Sequence, residues 1–580
     1  MRAGAFGCSL DLRVPPRHSA ADNPRSKKMP QYDVLIIGGG INGSGIARDC
    51  AMRGLKTILV EKEDFAAGAT GTCSGMIHGG PRYLEYDIET TRTSCLDSGY
   101  IQKIAPFLLF RIPFVFPVLK GDKYNIELVE TFMEAYDRFV ALKNGRPHTR
   151  LTRADAFRLE PGLTPQLVGG VTMDEWGCSP FRLTILNVVS AHRYGAEIRN
   201  HTRVEDILMD ENRRVVGAKL RNTLTGEREE VRARIVFNAT GPWSPQLARM
   251  VGAGVKIRPA KGIHLVFDRR LSNVALTAEA IDGRSIFVLP YENTSLVGTT
   301  DDDYYGDPDN VTATRDEVQY LLEGIERVFP SIRNQRIIRA FAGVRPTLHE
   351  WRKNEDELSR EHKVFDHEQT ENIKGLLSIA GGKLASYRLM SEHATDVICQ
   401  KLGIGANCRT HLEALPGGEG DVDIHGAAHE YGVPAYVVQR LYQRYGTRYS
   451  NVMAEEPAGS ARSIICQCES VTEADIRHVI RHEWARTLDD VRRRTRLGSG
   501  PCQGGRCTLA AACILAEELH LGPDDLAGVA LDFLQERWKG KMPVISGRQL
   551  AQEELNRAAH FLSANLQEMM ATERQSAHGG

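Results

Sequence analysis

A β-prone run, Asp33–Ile37, and a second one, Thr57–Val60, bracket a stretch whose apolar residues return at helical spacing: Ile46, Ala47, Cys50 and Ala51. The pattern predicts strand, helix, strand, with Gly54 as the C-terminal stop of the helix. Two later β-prone runs also end in glycine turns, at 232–247 ("RARIVFNATGPWSPQL") and at 375–403, where a glycine pair precedes a long amphipathic helix. No stretch of about 18 to 20 apolar residues exists, so a spanning helix is not expected. The nearest candidate, 104–121, is broken by three prolines and Arg111. It reads as a buried loop and short strand, with a patch dipping into a membrane interface as the competing reading. Residues 433–453 read as an amphipathic helix ending at Gly446, 509–519 as a helix, and the last sixty residues as mainly helical and polar, fraying after about 565. Linkers are expected at 413–423 and 454–463, from their glycine, proline and acidic content.

The first of these units carries a chemical signature. Gly38-x-Gly40-x-x-Gly43 lies between the first strand and the helix, and the second strand ends at Glu61. The glycines permit a tight turn and close approach of backbone to a pyrophosphate. The helix N-terminus favours its charge, and the acid accepts ribose hydroxyls. Dinucleotide binding follows from this order of parts; which dinucleotide does not.

At 580 residues the chain is long enough for two or three domains. Its formal charge of −1, from 73 basic and 74 acidic residues, supplies no argument for nucleic acid as a partner. The first thirty residues are basic and rich in Pro, Ser and Ala, without the apolar core of a secretory signal. They are expected to be a disordered extension, with Met29 as a candidate true start and a transit peptide as the alternative.

Eight of the twelve cysteines (Cys8, Cys50, Cys73, Cys95, Cys178, Cys399, Cys408 and Cys513) are scattered without ligand spacing. The other four are grouped: Cys466-x-Cys468, then 33 intervening residues, then Cys502-x4-Cys507. Two thiolate pairs can hold a metal centre, and a [2Fe–2S] cluster, a structural zinc and redox-active thiols compete at this point. Arg492, Arg493, Arg494, Arg496 and Arg506 lie around the second pair. Cations there would stabilise a reduced, anionic cluster, and a solvent-facing basic helix is the plainer alternative.

The segments at 232–247 and 375–403 resemble flavoproteins of the D-amino-acid oxidase superfamily, and "TGTCSGMIHGG" (70–80) is similar to the small-residue segment along the isoalloxazine in that group. This resemblance implies FAD. It assigns cofactor contacts to Gly38, Gly40, Gly43, Glu61, Thr72, Ser74, His78, Gly241, Gly381 and Gly382. "HGGPRYLEYD" (78–87), "FVLPYENTSLVGTTDDDYYGD" (287–307), "AFAGVRPTL" (340–348) and "GGKLASYRLM" (381–390) narrow it to FAD-dependent glycerol-3-phosphate dehydrogenase, over about residues 31 to 455. The cysteine region and "FLQERWKGKMPV" (533–544) resemble the large subunit of the anaerobic form. The "HGGPRYLE" segment looks like the aerobic form.

The resemblance implies oxidation of sn-glycerol 3-phosphate to dihydroxyacetone phosphate by hydride transfer to FAD. It places Arg82, His264, Arg345, Lys383 and Ser386 at the substrate. Of these, His264, Arg345 and Lys383 are the catalytic candidates, with His264 first as the base. Three cations, Arg82, Arg345 and Lys383, suit a phosphate better than the single carboxylate of an amino acid. The cysteine pattern resembles a bacterioferritin-associated ferredoxin-like [2Fe–2S] domain. Electrons are then expected to pass to a quinone, directly or through partner subunits.

The expected fold is of the α/β and α+β classes. A Rossmann-like FAD-binding domain is interleaved with an antiparallel-sheet substrate domain over 31–415. A helical cap and linker (416–455), a small helical cysteine-ligated domain (456–515) and a helical tail (516–580) follow. Location at the inner face of the cytoplasmic membrane, as a peripheral protein and possible homo-oligomer, is the matching expectation. An FAD-dependent amino-acid or 2-hydroxy-acid dehydrogenase or oxidase is the enzymatic alternative. An iron–sulfur electron-transfer or binding protein is the alternative of another class.

Overall fold

A computed structural model describes residues 31–85, 87–350 and 361–563, apart from the side chains of Arg82, Asp524 and Ser563. The extension expected at 1–30 and the fraying expected after 565 therefore lie outside the described residues.

The predicted strand–helix–strand is the centre of the first sheet. Gln31–Ile37 pairs in parallel with Thr57–Val60 on one side and with Arg228–Asn238 on the other. Glu197–Arg199 and Leu376–Gly381 extend the parallel run outward. Fully buried parallel strands read as unbroken apolar blocks, which is why Val34–Ile37 and Ile58–Val60 lack alternation. The helix Ile41–Met52 packs on this sheet through Ile46, Ala47 and Cys50, all fully buried.

The second sheet is mainly antiparallel and has ten strands among the described residues. Its order runs from Asp302–Asp303 through Ile257–Phe267, Thr294–Gly298, Ser285–Tyr291, Ala275–Glu279 and Phe110–Leu119 to Leu167–Gly177 and Met76–Ile77. Ile337–Leu348 lies along Ile257–Phe267. The chain enters this sheet twice, over 76–177 and again over 257–348, with strands of the first sheet before, between and after, which is the interleaving the sequence implied. The fold class is as expected.

Phe110–Leu119 is a ten-residue strand between two neighbours, longer than the short strand expected in 104–121. Ile112, Phe114, Val115, Val118 and Leu119 are buried there. That stretch therefore no longer argues for a membrane-dipping patch. Among the described residues no helix is long and apolar enough to cross a membrane.

Gly446 ends the helix Ala435–Tyr445, as expected, in a positive-φ turn. The C-terminal third shares one core, from Ala427 and Val437 through Val479, Leu488 and Leu515 to Phe533. The boundary drawn at 455/456 falls inside this core, and the helix Pro523–Lys541 packs into it through Ala530 and Phe533.

This unit is fastened to the first sheet by buried charge. Arg494 meets Asp64 through two hydrogen bonds, at 2.7 and 2.8 Å, with neither side chain exposed. Arg182 donates to both carboxylate oxygens of Glu483, at 2.6 and 3.2 Å. Arg493 also reaches Asp64, and Arg496 pairs with Glu469. These arginines therefore do not form the solvent-facing basic helix considered from the sequence; the fold spends them on structural ion pairs.

Candidate active site and cysteine centre

The glycine turn has the geometry a pyrophosphate needs. A Cβ on Gly43 would sit 1.8 Å from the Gly38 carbonyl oxygen, so only glycine lets helix and strand approach this closely. Gly38, at φ +109°, packs against the backbone of Ala239 in the adjacent strand's turn. The helix Ile41–Met52 starts at Gly40 with no side-chain cap and no acid in its first turn. Its N-terminal partial positive charge is thus left to a ligand. Glu61 accepts from the amides of Gly39 (2.6 Å) and Glu63 (3.0 Å), which fixes its carboxylate at the strand end. Burial pushes its carboxyl above the ordinary range, while those two amides pull it back.

Gly38, Gly40, Glu61, Thr72 and Gly241 line a cavity of ≈ 410 Å³. Ser74, His78, Gly381, Gly382, Arg345 and Lys383 line a second one of ≈ 380 Å³. The two share Ile41, Asn42, Ala69, Thr70 and Pro346, so they form one elongated space. It has a nucleotide-suited end beneath Trp243 and Lys62, and a broader end walled by the second sheet. Gly343 closes the join: a Cβ there would meet Thr72 Oγ1 at 1.9 Å. An elongated space against an uncapped helix N-terminus fits a dinucleotide such as FAD.

Cations converge on the broader end. Arg345 donates to Asp301 at 2.6 Å and to Thr299 Oγ1 at 2.9 Å, which aims its guanidinium across the cavity wall. Lys383 Nζ stands 4.3 Å above the Tyr83 ring, beside the Gly80 turn. Arg284, which sequence reasoning missed, also lines this end, held by the Asp301 carbonyl and by Asp302. Nothing in "DGRS" marks it, because its place is set by a hairpin closing onto a distant strand. Thr70, Thr299 and Tyr83 were missed for the same reason.

The remaining predicted residues lie differently. The side chain of Arg82 is outside the described residues. Ser386 is 8% exposed, donates to the Lys383 carbonyl at 3.4 Å and is not in the cavity lining. His264 also stands behind the lining, stacked on Phe341 with centroids 5.0 Å apart and 6.2 Å from Phe287, which does line the cavity. Both its ring nitrogens are buried without a hydrogen-bond partner. Burial, with Arg345 adding repulsion, pushes its pKa down to about 3, so the ring is neutral.

The four grouped cysteines come together in the C-terminal unit. Cys468 and Cys502 have sulfurs 3.7 Å apart, and Cys507 stands beside Cys466 and pulls its thiol below the ordinary range. The backbone at Gly498 and Glu469 also favours the Cys466 thiolate, and that at Cys502 the Cys468 thiolate, although burial leaves Cys468 raised. A Cβ on Gly500 would lie 2.4 Å from Cys468 Cβ, so glycine is required for the loops to meet. The only three or more potential metal ligands among the described residues with donor atoms all within 4.8 Å are Glu455, His478 and His482. The four sulfurs are therefore two pairs and not one tight tetrahedron. A single tetrahedral zinc with Zn–S near 2.3 Å would need all six S···S separations at about 3.8 Å. Two thiol pairs suit a dinuclear centre with two thiolates per metal.

Fold, elongated cavity and glycine turn together define an FAD-dependent oxidoreductase. Residues 33–388 match the family described as FAD dependent oxidoreductase, and 408–525 match the C-terminal domain of alpha-glycerophosphate oxidase. The chain belongs to this FAD-dependent oxidoreductase family, in the branch that contains the glycerol-3-phosphate dehydrogenases. It is 34% identical to a subunit of the anaerobic glycerol-3-phosphate dehydrogenase of Escherichia coli K12, covering 92% of this chain and 97% of that one. The corresponding anaerobic enzyme's subunit in Haloferax volcanii is 33% identical, over 93% and 92%. The glycerol-3-phosphate dehydrogenase of Bacillus halodurans, solved with FAD, superposes with a TM-score of 0.71 at 26% identity, covering 89% of this chain and 96% of that one.

Proposed function

We propose that the protein oxidises sn-glycerol 3-phosphate to dihydroxyacetone phosphate. The observation that carries this reading is the convergence of Arg284, Arg345 and Lys383 on the end of a dinucleotide-shaped cavity. A phosphate with close to two negative charges calls for several fixed cations, two of them with fork geometry. The names of the relatives support the same substrate.

FAD, held by the Gly38–Gly43 turn, Glu61, Thr72, Gly241 and the Gly381–Gly382 turn, would supply a two-electron hydride acceptor at the broader end. Arg345 and Lys383, with Arg82, would bind the phosphate and set C2 of the substrate toward the flavin face. The Asp301 carboxylate and Thr299 keep Arg345 from swinging into the space the substrate needs. His264 is our candidate for the group that takes the C2 hydroxyl proton. It is neutral, has two unpartnered nitrogens and would need a shift of Phe287 to reach the cavity.

Cys466, Cys468, Cys502 and Cys507 would hold a [2Fe–2S] cluster, which supplies one-electron exit from a two-electron flavin. Ultimate delivery to a quinone, directly or through partner subunits at a membrane surface, completes the reading. Anaerobic titration tests it: glycerol 3-phosphate should bleach the flavin band, and glycerol or an amino acid should not. Bleaching by a 2-hydroxy or amino acid alone would replace the substrate.

A further inference from the structure

A cavity of ≈ 810 Å³ lies apart from the flavin space. It lies between the C-terminal helices and the start of the strand Ile337–Leu348, and Cys468 and Cys502 form part of its wall. Six cations line it: Arg336, Arg506, Arg537, Lys541, Arg548 and Arg557. The one acid in the lining, Glu553, is already paired with Lys541. Trp538 and Phe561 add aromatic surface, with the Arg557 guanidinium stacked on both rings at 4.9 and 5.1 Å.

Arg537 lies in this wall, packed over the Phe533 ring. It is 3% exposed, yet its Nε and Nη1 have no partner, and its one carboxylate contact is Asp489 at 3.4 Å. Behind it stand Arg339, whose buried Nε is also unpartnered, and Arg492. Burial first, then Arg492 and Arg339, push the Arg537 guanidinium well below its ordinary range. Buried donors without acceptors cost stability unless something else accepts from them. The cations that line the cavity around it favour an anion.

The same strand connects the two sites. Ile337 and Ile338 line this cavity, and Ala342, Gly343 and Val344 line the flavin space. From Ile338 to Gly343 is five residues, about 17 Å at strand rise. The cysteine pair thus shares its cavity wall with a strand that runs on into the wall of the flavin space.

We propose that this cavity is the electron-exit site and that it binds a small aromatic acceptor carrying an anionic group such as phosphate, sulfonate or carboxylate. A neutral lipid quinone would leave Arg336, Arg506, Arg548 and Arg557 without a counter-charge, so a quinone is reached only after this carrier. The binding claim stands on the cavity alone, whereas its electron-transfer role rests on the function proposed above. In that role the secondary alcohol loses two electrons and two protons, and the aromatic acceptor gains them.

The probe is 2,6-dichlorophenolindophenol, a planar anion at neutral pH that takes two electrons and two protons. Calorimetry with the oxidised holoenzyme should show binding, competed by inorganic phosphate. Arg336→Ala/Arg548→Ala, two exposed positions, should weaken it at least tenfold and raise the apparent KM for the dye equally. Turnover with phenazine methosulfate, a cationic aromatic acceptor, and flavin bleaching by substrate should stay as in the parent. Millimolar or weaker binding to the parent protein, or an unchanged Kd in the double variant, overturns the site. An equal loss with both dyes overturns the exit role. Failure of the parent to bleach with glycerol 3-phosphate overturns the proposed substrate instead, and leaves the calorimetric result to decide the site.

Discussion

Arg494→Met would break the buried pair that fastens the cysteine-bearing unit to the flavin unit. Asp64 and Arg494 are both fully buried and exchange two charge-assisted hydrogen bonds, and Arg494 also donates to the Glu483 carbonyl at 2.7 Å. Without the guanidinium, the Asp64 carboxylate keeps only Arg493 at 3.4 Å and Asn200 at 3.2 Å. Removing one partner of a buried pair costs about 3–5 kcal/mol, because the other charge stays behind uncompensated. If the loss acts on docking of the C-terminal unit, the open population rises about 10²- to 10⁴-fold. Cleavage in 454–463 by dilute protease should accelerate accordingly when reclosing is fast. Burial pushes the Asp64 carboxyl up, but Arg494 and then Arg493 pull it down further, so its net position is below the ordinary carboxylate range. A depressed folded pKa gives stability that is present above the unfolded value and is lost as pH falls through the folded one. The penalty should therefore be full at pH 7 and shrink in strong acid. Asp64→Leu/Arg494→Met should recover most of it. Proteolysis at the parent rate at pH 7, or a double variant worse than the single one, would refute the reasoning.

Three further outcomes follow from the site. Lys383→Met should raise KM for glycerol 3-phosphate at least tenfold with FAD content unchanged; a normal KM with lost FAD would make it a cofactor residue. Gly43→Ala, facing a carbonyl at 1.8 Å, should abolish FAD loading, while Gly54→Ala, with nothing within 4 Å, should retain it on absorbance of the purified protein. His264→Leu should lower kcat by about 10²-fold or more with little change in KM, as for loss of a general base. Because the folded His264 pKa is depressed to about 3, the parent loses about 1.4 kcal/mol per pH unit below pH 6.5 on this account. The variant should lose stability less steeply in that range, and an identical pH slope would contradict the neutral, buried ring.

What the sequence revealed and what it hid divide by the range of the interactions. Gly38, Gly40, Gly43 and Glu61 fall within 24 residues, and their chemistry is local, so the turn was readable. The cysteine pairs were readable because two short spacings survive any loop between them. Arg284 was not, since its neighbours Asp301 and Lys383 reach it only through sheet closure. The arginines at 492–496 looked like a cluster's counter-charges because Asp64, the partner of Arg494, is 430 residues away in sequence. The strand Phe110–Leu119 was shortened in the reading because apolar runs with prolines carry no period.

The measurement that bears most directly on the central claim is an anaerobic titration of the purified holoenzyme with glycerol 3-phosphate, followed by visible absorbance and then electron paramagnetic resonance. The account expects the flavin band to bleach with about one equivalent, and iron bound through Cys466, Cys468, Cys502 and Cys507 to become reduced after it. A flavin that stays oxidised at millimolar substrate would contradict it.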